Sequence, residues 1–232
     1  RPVVLRAWHA RVRRDTRHHV GRTPRREVMS IHGGNIIRFP LYRGSRPGKE
    51  RAARVPMDSF QSFVARLVRS VVLSEVTKHL EFEVSNVSRF GFVPGQWLSF
   101  NSVMPDGENI TRAYSIASPP SDDNRFALCL NRVQDGFMSN HLCGMKEGDA
   151  ISCEGPFGNF ILRPPMRDTL FIATGTGIAP FRSMLHWLLA DASRHQNHEL
   201  WLLYGNRTEQ DIYYHDEAVR LAEAHANFHY LP

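Results

Sequence analysis

The chain has 232 residues, 42% hydrophobic and 10% aromatic, enough for one large globular domain or two small ones. The net charge of +6 is divided unevenly: residues 1–56 hold 15 Lys+Arg against 3 Asp+Glu, whereas residues 57–232 hold 14 against 20. The larger part is therefore mildly acidic, which disfavours nucleic-acid binding, and no apolar run has the length of a bilayer span. Cys129, Cys143 and Cys153 show no iron–sulfur, zinc or disulfide spacing, and the twelve His lack a ligand spacing, so no metal is expected. A reducing, cytoplasmic setting is the expectation.

Residues 1–56 read as a basic leader, disordered or non-native. A targeting segment is the second reading and nucleic-acid binding the last. The chain begins without Met, and Met57, just ahead of the regular pattern, is a plausible start. From there β-branched and aromatic runs separated by Gly, Pro, Asp and Asn predict strands at 67–73, 76–84, 96–101, 110–116, 126–132 and 150–154. Pro94-Gly95 and Pro105-Asp106-Gly107 are turn signals. Six short strands predict a small antiparallel barrel over 57–164, interrupted by one helix from Gly136 towards Cys143. Beyond Pro164-Pro165 the rhythm becomes strand 169–174, helix 178–192, strand 199–204, helix 214–226 and strand 227–231. That alternation predicts an α/β Rossmann-like, parallel, nucleotide-binding domain over 165–232.

Three stretches carry chemistry. Arg112-Ala113-Tyr114-Ser115 places a guanidinium, an aromatic face and a hydroxyl on one extended run, with Arg112 and Tyr114 on one side and Ser115 on the other. Those groups suit the pyrophosphate, the flat ring and the reactive nitrogen of a flavin nucleotide. The helix starting near Gly136 offers free first-turn N–H groups and a positive dipole end to a phosphate, with Ser139 adding a hydroxyl. Gly175 and Gly177, at the C-terminal end of a predicted strand, let a dinucleotide approach the backbone.

These stretches occur in a fixed order. Arg112–Ser115 is followed by Gly136-Phe137-Met138-Ser139-Asn140, then Gly155-Pro156-Phe157-Gly158, then Ala173-Thr174-Gly175-Thr176-Gly177-Ile178-Ala179-Pro180-Phe181-Arg182-Ser183. Tyr204-Gly205-Asn206-Arg207 completes the series. From about Phe63 to the last residue the chain resembles the ferredoxin–NADP reductase family of FAD-dependent oxidoreductases. The resemblance implies an FAD site built by Arg112, Ala113, Tyr114 and Ser115, by Asn131 and Val133, and by Gly136, Phe137, Met138 and Ser139. It implies an NADP (or NAD) site built by Thr174, Gly175, Thr176, Gly177, Ile178 and Pro180, with Gly205, Asn206, Arg207 and Tyr213.

In such enzymes hydride passes from NAD(P)H to FAD, and electrons then pass to a carrier such as ferredoxin or flavodoxin. The resemblance thus implies a ferredoxin–NAD(P)+ reductase of class EC 1.18.1, monomeric or weakly oligomeric. Tyr114 would stack on the flavin and Ser115 would align hydride transfer. Arg207 with Tyr213 or Tyr214 would favour the 2′-phosphate of NADPH, while Glu209 and Asp211 pull towards NADH. The alternative is an FAD-binding electron-transfer subunit of a larger complex without its own NAD(P)H turnover. Similar proteins continue beyond the third strand of the second domain, with a Cys-Gly motif beside the nicotinamide, so the chain is expected to be a fragment.

Overall fold

The computed structural model describes residues 27–32, 35–40 and 61–232. The chain divides into two units, 1–55 and 56–232. In the first, β1 (Glu27–His32) pairs antiparallel with β2 (Asn35–Pro40), Glu27 opposite Pro40 and His32 opposite Asn35. The reading of residues 1–56 as a disordered or non-native leader assigned no strand here. The sequence carries the cue: β-branched Val28, Ile31, Ile36 and Ile37 flank a Gly-Gly pair, as in a hairpin. The rest of that reading, and the proposed start at Met57, lie outside the described residues.

The second unit begins with six antiparallel strands: β3 (Gln61–Val72), β4 (Thr77–Val84), β5 (Trp97–Val103), β6 (Asn109–Ser115), β7 (Arg125–Asn131) and β8 (Ala150–Phe157). Their order is β6-β5-β8-β3-β4-β7. The two outer strands approach where Ile116 bridges Leu128 and the Ala117 N–H reaches the Ala127 carbonyl at 2.7 Å, so the sheet curls into a partly closed barrel. β3 starts six residues earlier than predicted. Its first half pairs with β8 and it continues on β4 past a register shift between Leu67 and Arg69, so one strand serves two neighbours. Ser62, Ala65 and Arg66 are weak strand formers, which hid that half from a propensity reading.

Alternation sends Leu80, Phe82, Leu98, Phe100, Phe126 and Leu128 inward, and all are essentially inaccessible. Helix α1 (Phe137–Gly144) adds buried Met138 and Leu142 to this core.

β9 (Thr169–Thr174), α2 (Ile178–Leu189), β10 (Leu200–Gly205), α3 (His215–Ala224) and β11 (Phe228–Leu231) form the second lobe, a parallel sheet in the order β11-β10-β9. Leu185 and Leu188 of α2 and Leu221 of α3 share one core with Phe171, Leu202 and Phe228. Helix α3 starts at His215 because Tyr214 is left-handed, with φ 59°. The lobes meet closely at Gly95, which has φ +98°. A Cβ there would lie 2.0 Å from the Phe160 carbonyl oxygen and 2.4 Å from Met184 Cε of α2. Only glycine satisfies both the turn and the contact. No helix among the described residues is long and apolar enough to cross a membrane.

Candidate functional site

β6 is the edge strand that carries Arg112–Ser115, paired on one side only, with Arg112 opposite Phe100, Tyr114 opposite Leu98 and Ser115 opposite Trp97. Arg112 is exposed. Its Nη1 donates to the neighbouring Thr111 carbonyl at 2.9 Å, which uses one of five donors and leaves the rest of the fork for an anion. Ala113 is exposed between them. Tyr114 is half-buried, its ring edge-on to Phe100 at 5.7 Å, and burial pushes its phenol pKa up. Ser115 is half-buried at the strand end.

Helix α1 lies against β6, the strand of Arg112. No side chain caps that turn, whose Ncap is Gly136, so the backbone N–H groups of Phe137, Met138 and Ser139 remain as donors at the positive end of the helix. This fits a diphosphate. The Ser139 hydroxyl, by contrast, is not available for one. It is buried, accepts from the Val133 N–H at 3.0 Å and donates to the Gly136 carbonyl at 3.0 Å. Asn140 Nδ2 donates to the Val133 and Gly136 carbonyls at 2.9 Å each. These bonds shape the loop, so what Ser139 can offer a phosphate is its N–H. The Met138 side chain is likewise spent in the core, Val133 is exposed, and the Asn131 carboxamide oxygen accepts from Thr77 Oγ1 at 2.6 Å.

In the second lobe a single 3-10 turn, Gly175–Gly177, joins β9 to α2 without a side-chain cap. Gly175 has φ +50°, and a Cβ on Gly175 or Gly177 would meet nothing within 4 Å, so the turn faces open space that a dinucleotide backbone could occupy. Thr174 is exposed, and Thr176 and Pro180 half-buried. The Ile178 side chain is buried in the lobe core and can contribute only its backbone. The turn is anchored from beneath: the Tyr204 hydroxyl donates to the Gly175 carbonyl at 2.8 Å. At the end of β10, Gly205 and Arg207 are exposed. Asn206 donates through Nδ2 to the Tyr204 carbonyl at 3.2 Å, and Thr208 donates to Asp211 Oδ2 at 2.9 Å within its own turn.

Tyr213 is a correction. It is 6% exposed, and its hydroxyl is hydrogen-bonded to Thr77 of β4 at 2.7 Å, so it faces the barrel and not a ribose phosphate. Tyr214 goes the same way. Its hydroxyl meets His79 Nδ1 at 2.9 Å, and its ring lies 4.7 Å under the Arg182 guanidinium. The left-handed backbone at Tyr214 turns the chain here, something that residue identity alone does not announce.

Around these tyrosines lies a polar cluster that sequence reasoning missed. Arg182 binds Glu217 through Nε and Nη2 at 2.7 and 2.8 Å and reaches the Ala117 carbonyl through Nη1 at 2.9 Å. His186 Nε2 meets the same carboxylate at 2.7 Å. Burial alone would raise the Glu217 pKa, but the hydrogen bonds from His186 and Arg182, with the Arg182 charge, hold it down to about 2. His79 is also lowered, below the usual histidine range, chiefly by burial and then by the Arg182 charge. The one available cue was Arg182 itself, which falls inside the Gly-Thr-Gly motif run.

Known proteins agree with this architecture. The oxidoreductase FAD-binding domain model matches residues 64–161, and the oxidoreductase NAD-binding domain model matches residues 171–232. Ferredoxin--NADP reductase B of Sorangium cellulosum is 41% identical over 172 residues, 73% of this chain and 68% of that protein. The toluate 1,2-dioxygenase electron transfer component of Pseudomonas putida is 35% identical over 159 residues, 68% of this chain but 45% of the relative. Among solved structures, the Amycolatopsis cytochrome P450 reductase GcoB superposes with a TM-score of 0.65 at 25% identity, over 75% of this chain and 51% of that one. The chain thus spans between about half and two thirds of the length of these relatives. An FAD-binding barrel, an NAD(P)-binding α/β lobe and the identity to the Sorangium reductase together place the chain in the ferredoxin–NADP reductase family of flavin-dependent oxidoreductases.

Proposed function

We propose that this protein is a ferredoxin–NADP reductase-type enzyme that moves electrons between NADPH and a small protein carrier of the ferredoxin or flavodoxin kind. The observation that carries the reading is helix α1, uncapped at its start and packed against the strand of Arg112, with an open glycine turn in the same folded unit. Two anion-ready backbone sites, one on a helix packed against the strand of an arginine and an aromatic ring, suit a flavin dinucleotide and a nicotinamide dinucleotide. The flavin, when bound, supplies the capacity to exchange a hydride with the nicotinamide and single electrons with the carrier.

The residues of this chain bind and orient. Arg112 and the N–H groups of Phe137, Met138 and Ser139 hold the FAD diphosphate, and Tyr114 offers its ring face. Ser115 would donate a hydrogen bond to the flavin ring and help to orient it for the reaction. The Gly175–Gly177 turn takes the coenzyme diphosphate, held in shape by Tyr204. Arg207, exposed beyond β10, meets the 2′-phosphate, and this favours NADPH over NADH without help from Tyr213. The likeness to the Sorangium reductase supports ferredoxin as the carrier. A cytoplasmic setting and a monomeric or weakly oligomeric state belong to the same proposal, the former supported by three buried free thiols.

A second reading, an FAD-carrying subunit that passes electrons within a larger assembly, is favoured by the similarity to a dioxygenase electron transfer component. An anaerobic titration with NADPH and then NADH, following the flavin absorption band, tests both. Bleaching by NADPH at lower concentration than by NADH supports the reductase. A yellow protein that stays oxidised with either supports the carrier subunit, and a folded colourless protein overturns both.

A further inference from the structure

We propose that Arg182 is a positioning residue that locks the flavin strand to the helix of the nucleotide turn, so that the two nucleotide sites keep one mutual geometry. The inference rests on the two-site reading above and assigns its alignment to a side chain that touches neither site. Arg182 lies on α2, five residues beyond Gly177, and its side chain is 16% exposed. Its Nη1 bond to the Ala117 carbonyl reaches the barrel two residues after Ser115, where β6 hands over to the Ile116–Leu128 bridge. Its other edge is held bidentately by Glu217 of α3, and its face is covered by the Tyr214 ring. Tyr214 in turn is tied to His79 of β4. One guanidinium therefore joins β6, α2 and α3, and through Tyr214 also β4.

Stability alone does not explain this choice. A half-buried ion pair gains little net free energy over a well-packed apolar pair, because both charges lose hydration. What a guanidinium adds is direction: three donors leave it in one plane at fixed angles, which a lysine ammonium cannot reproduce. With the Glu217 carboxylate and the Tyr214 face holding that plane, the remaining donor can meet Ala117 from only one approach of the lobes. Reaction rates depend steeply on such alignment, and a displacement of about 1 Å can cost about a hundredfold.

The test uses the full chain with nitroxide labels at Ser152→Cys on the barrel and Glu223→Cys on α3, both exposed sites; the native cysteines are buried. Double electron–electron resonance should give one narrow interlobe distance in the parent and a broadened one in Arg182→Gln, with Arg182→Lys between them. Dissociation constants for FAD and NADP+ should stay within about threefold, while hydride transfer slows about tenfold or more. An unchanged narrow distance in Arg182→Gln overturns the proposal, as does slowing that tracks only weaker NADP+ binding. If Arg182→Gln does not fold, Arg182→Lys keeps the charge but loses the planar fork, and an unchanged narrow distance there overturns it equally. A parent that NAD(P)H cannot reduce sinks the functional reading, but the distance measurement still decides the clamp.

Discussion

Thr77 of β4 and Tyr213 ahead of α3, 136 residues apart, share a buried hydrogen bond of 2.7 Å. The bond joins the barrel to the nucleotide lobe and removes Tyr213 from the coenzyme surface. Tyr213→Phe should lower stability by about 1 kcal/mol, the ordinary net worth of such a bond, and leave the NADPH-to-NADH preference unchanged. Urea unfolding and the ratio of kcat/KM for the two coenzymes check this. A shift in preference with no loss of stability would return Tyr213 to the binding site.

Gly95→Ala should be among the most damaging small substitutions in the protein. The new methyl would meet the Phe160 carbonyl oxygen at 2.0 Å in a backbone conformation that L residues rarely adopt. Met184 can move aside, but the carbonyl cannot without shifting the loop that joins the lobes. A loss of about 2–4 kcal/mol is expected by urea melt. Gly175→Ala, with open space around its Cβ, should cost less stability and should weaken coenzyme binding instead.

Acid should act through Glu217. Its folded pKa of about 2 lies below the ordinary 4.5, so the folded state binds this proton more weakly than the unfolded chain does. The associated stability, on the order of 3 kcal/mol, is fully present above about pH 4.5 and is lost as the pH falls through that value towards 2. His79, lowered by burial, adds a loss of stability as the pH falls below its ordinary 6.5. Glu217→Gln should flatten the stability profile between pH 4.5 and 2, measured by denaturant titration. A parallel profile would show that the carboxylate is not linked to folding.

At the flavin strand, Arg112→Gln should weaken FAD binding by about tenfold or more, the worth of a charge-assisted bond to a diphosphate. Ser115→Ala should keep FAD and slow its reduction by NADPH. Stopped-flow absorbance separates the two. Equal rates in Ser115→Ala and the parent would remove Ser115 from the alignment of the reaction.

Most strands and all three α-helices among the described residues of the second unit were legible in the sequence, because each rests on a local rule. β-branched and aromatic runs bounded by Gly, Pro, Asp and Asn marked β4 to β8, and a glycine turn between an apolar run and a helix marked the start of the second lobe. The elements that escaped obey weaker local rules: the first half of β3, where Phe63 and Val64 sit among poor strand formers, and the β1–β2 hairpin, hidden among arginines. The Ser139 hydroxyl illustrates a different limit. A serine in the first turn of a helix reads equally as a phosphate ligand or a loop tie, and only the position of Val133 and Gly136 decides for the tie.

What the sequence determined by itself was most of the backbone course of the second unit: where the chain extends, where glycine permits a turn, and where helices begin. These depend on residues adjacent along the chain. Only the tertiary structure decided where polar side chains end. That Tyr213 meets Thr77, that Tyr204 holds Gly175, and that Arg182 finds Ala117 and Glu217 together follows from which elements lie opposite one another. A long side chain can satisfy its charge in many directions, and the packed lobes leave it one.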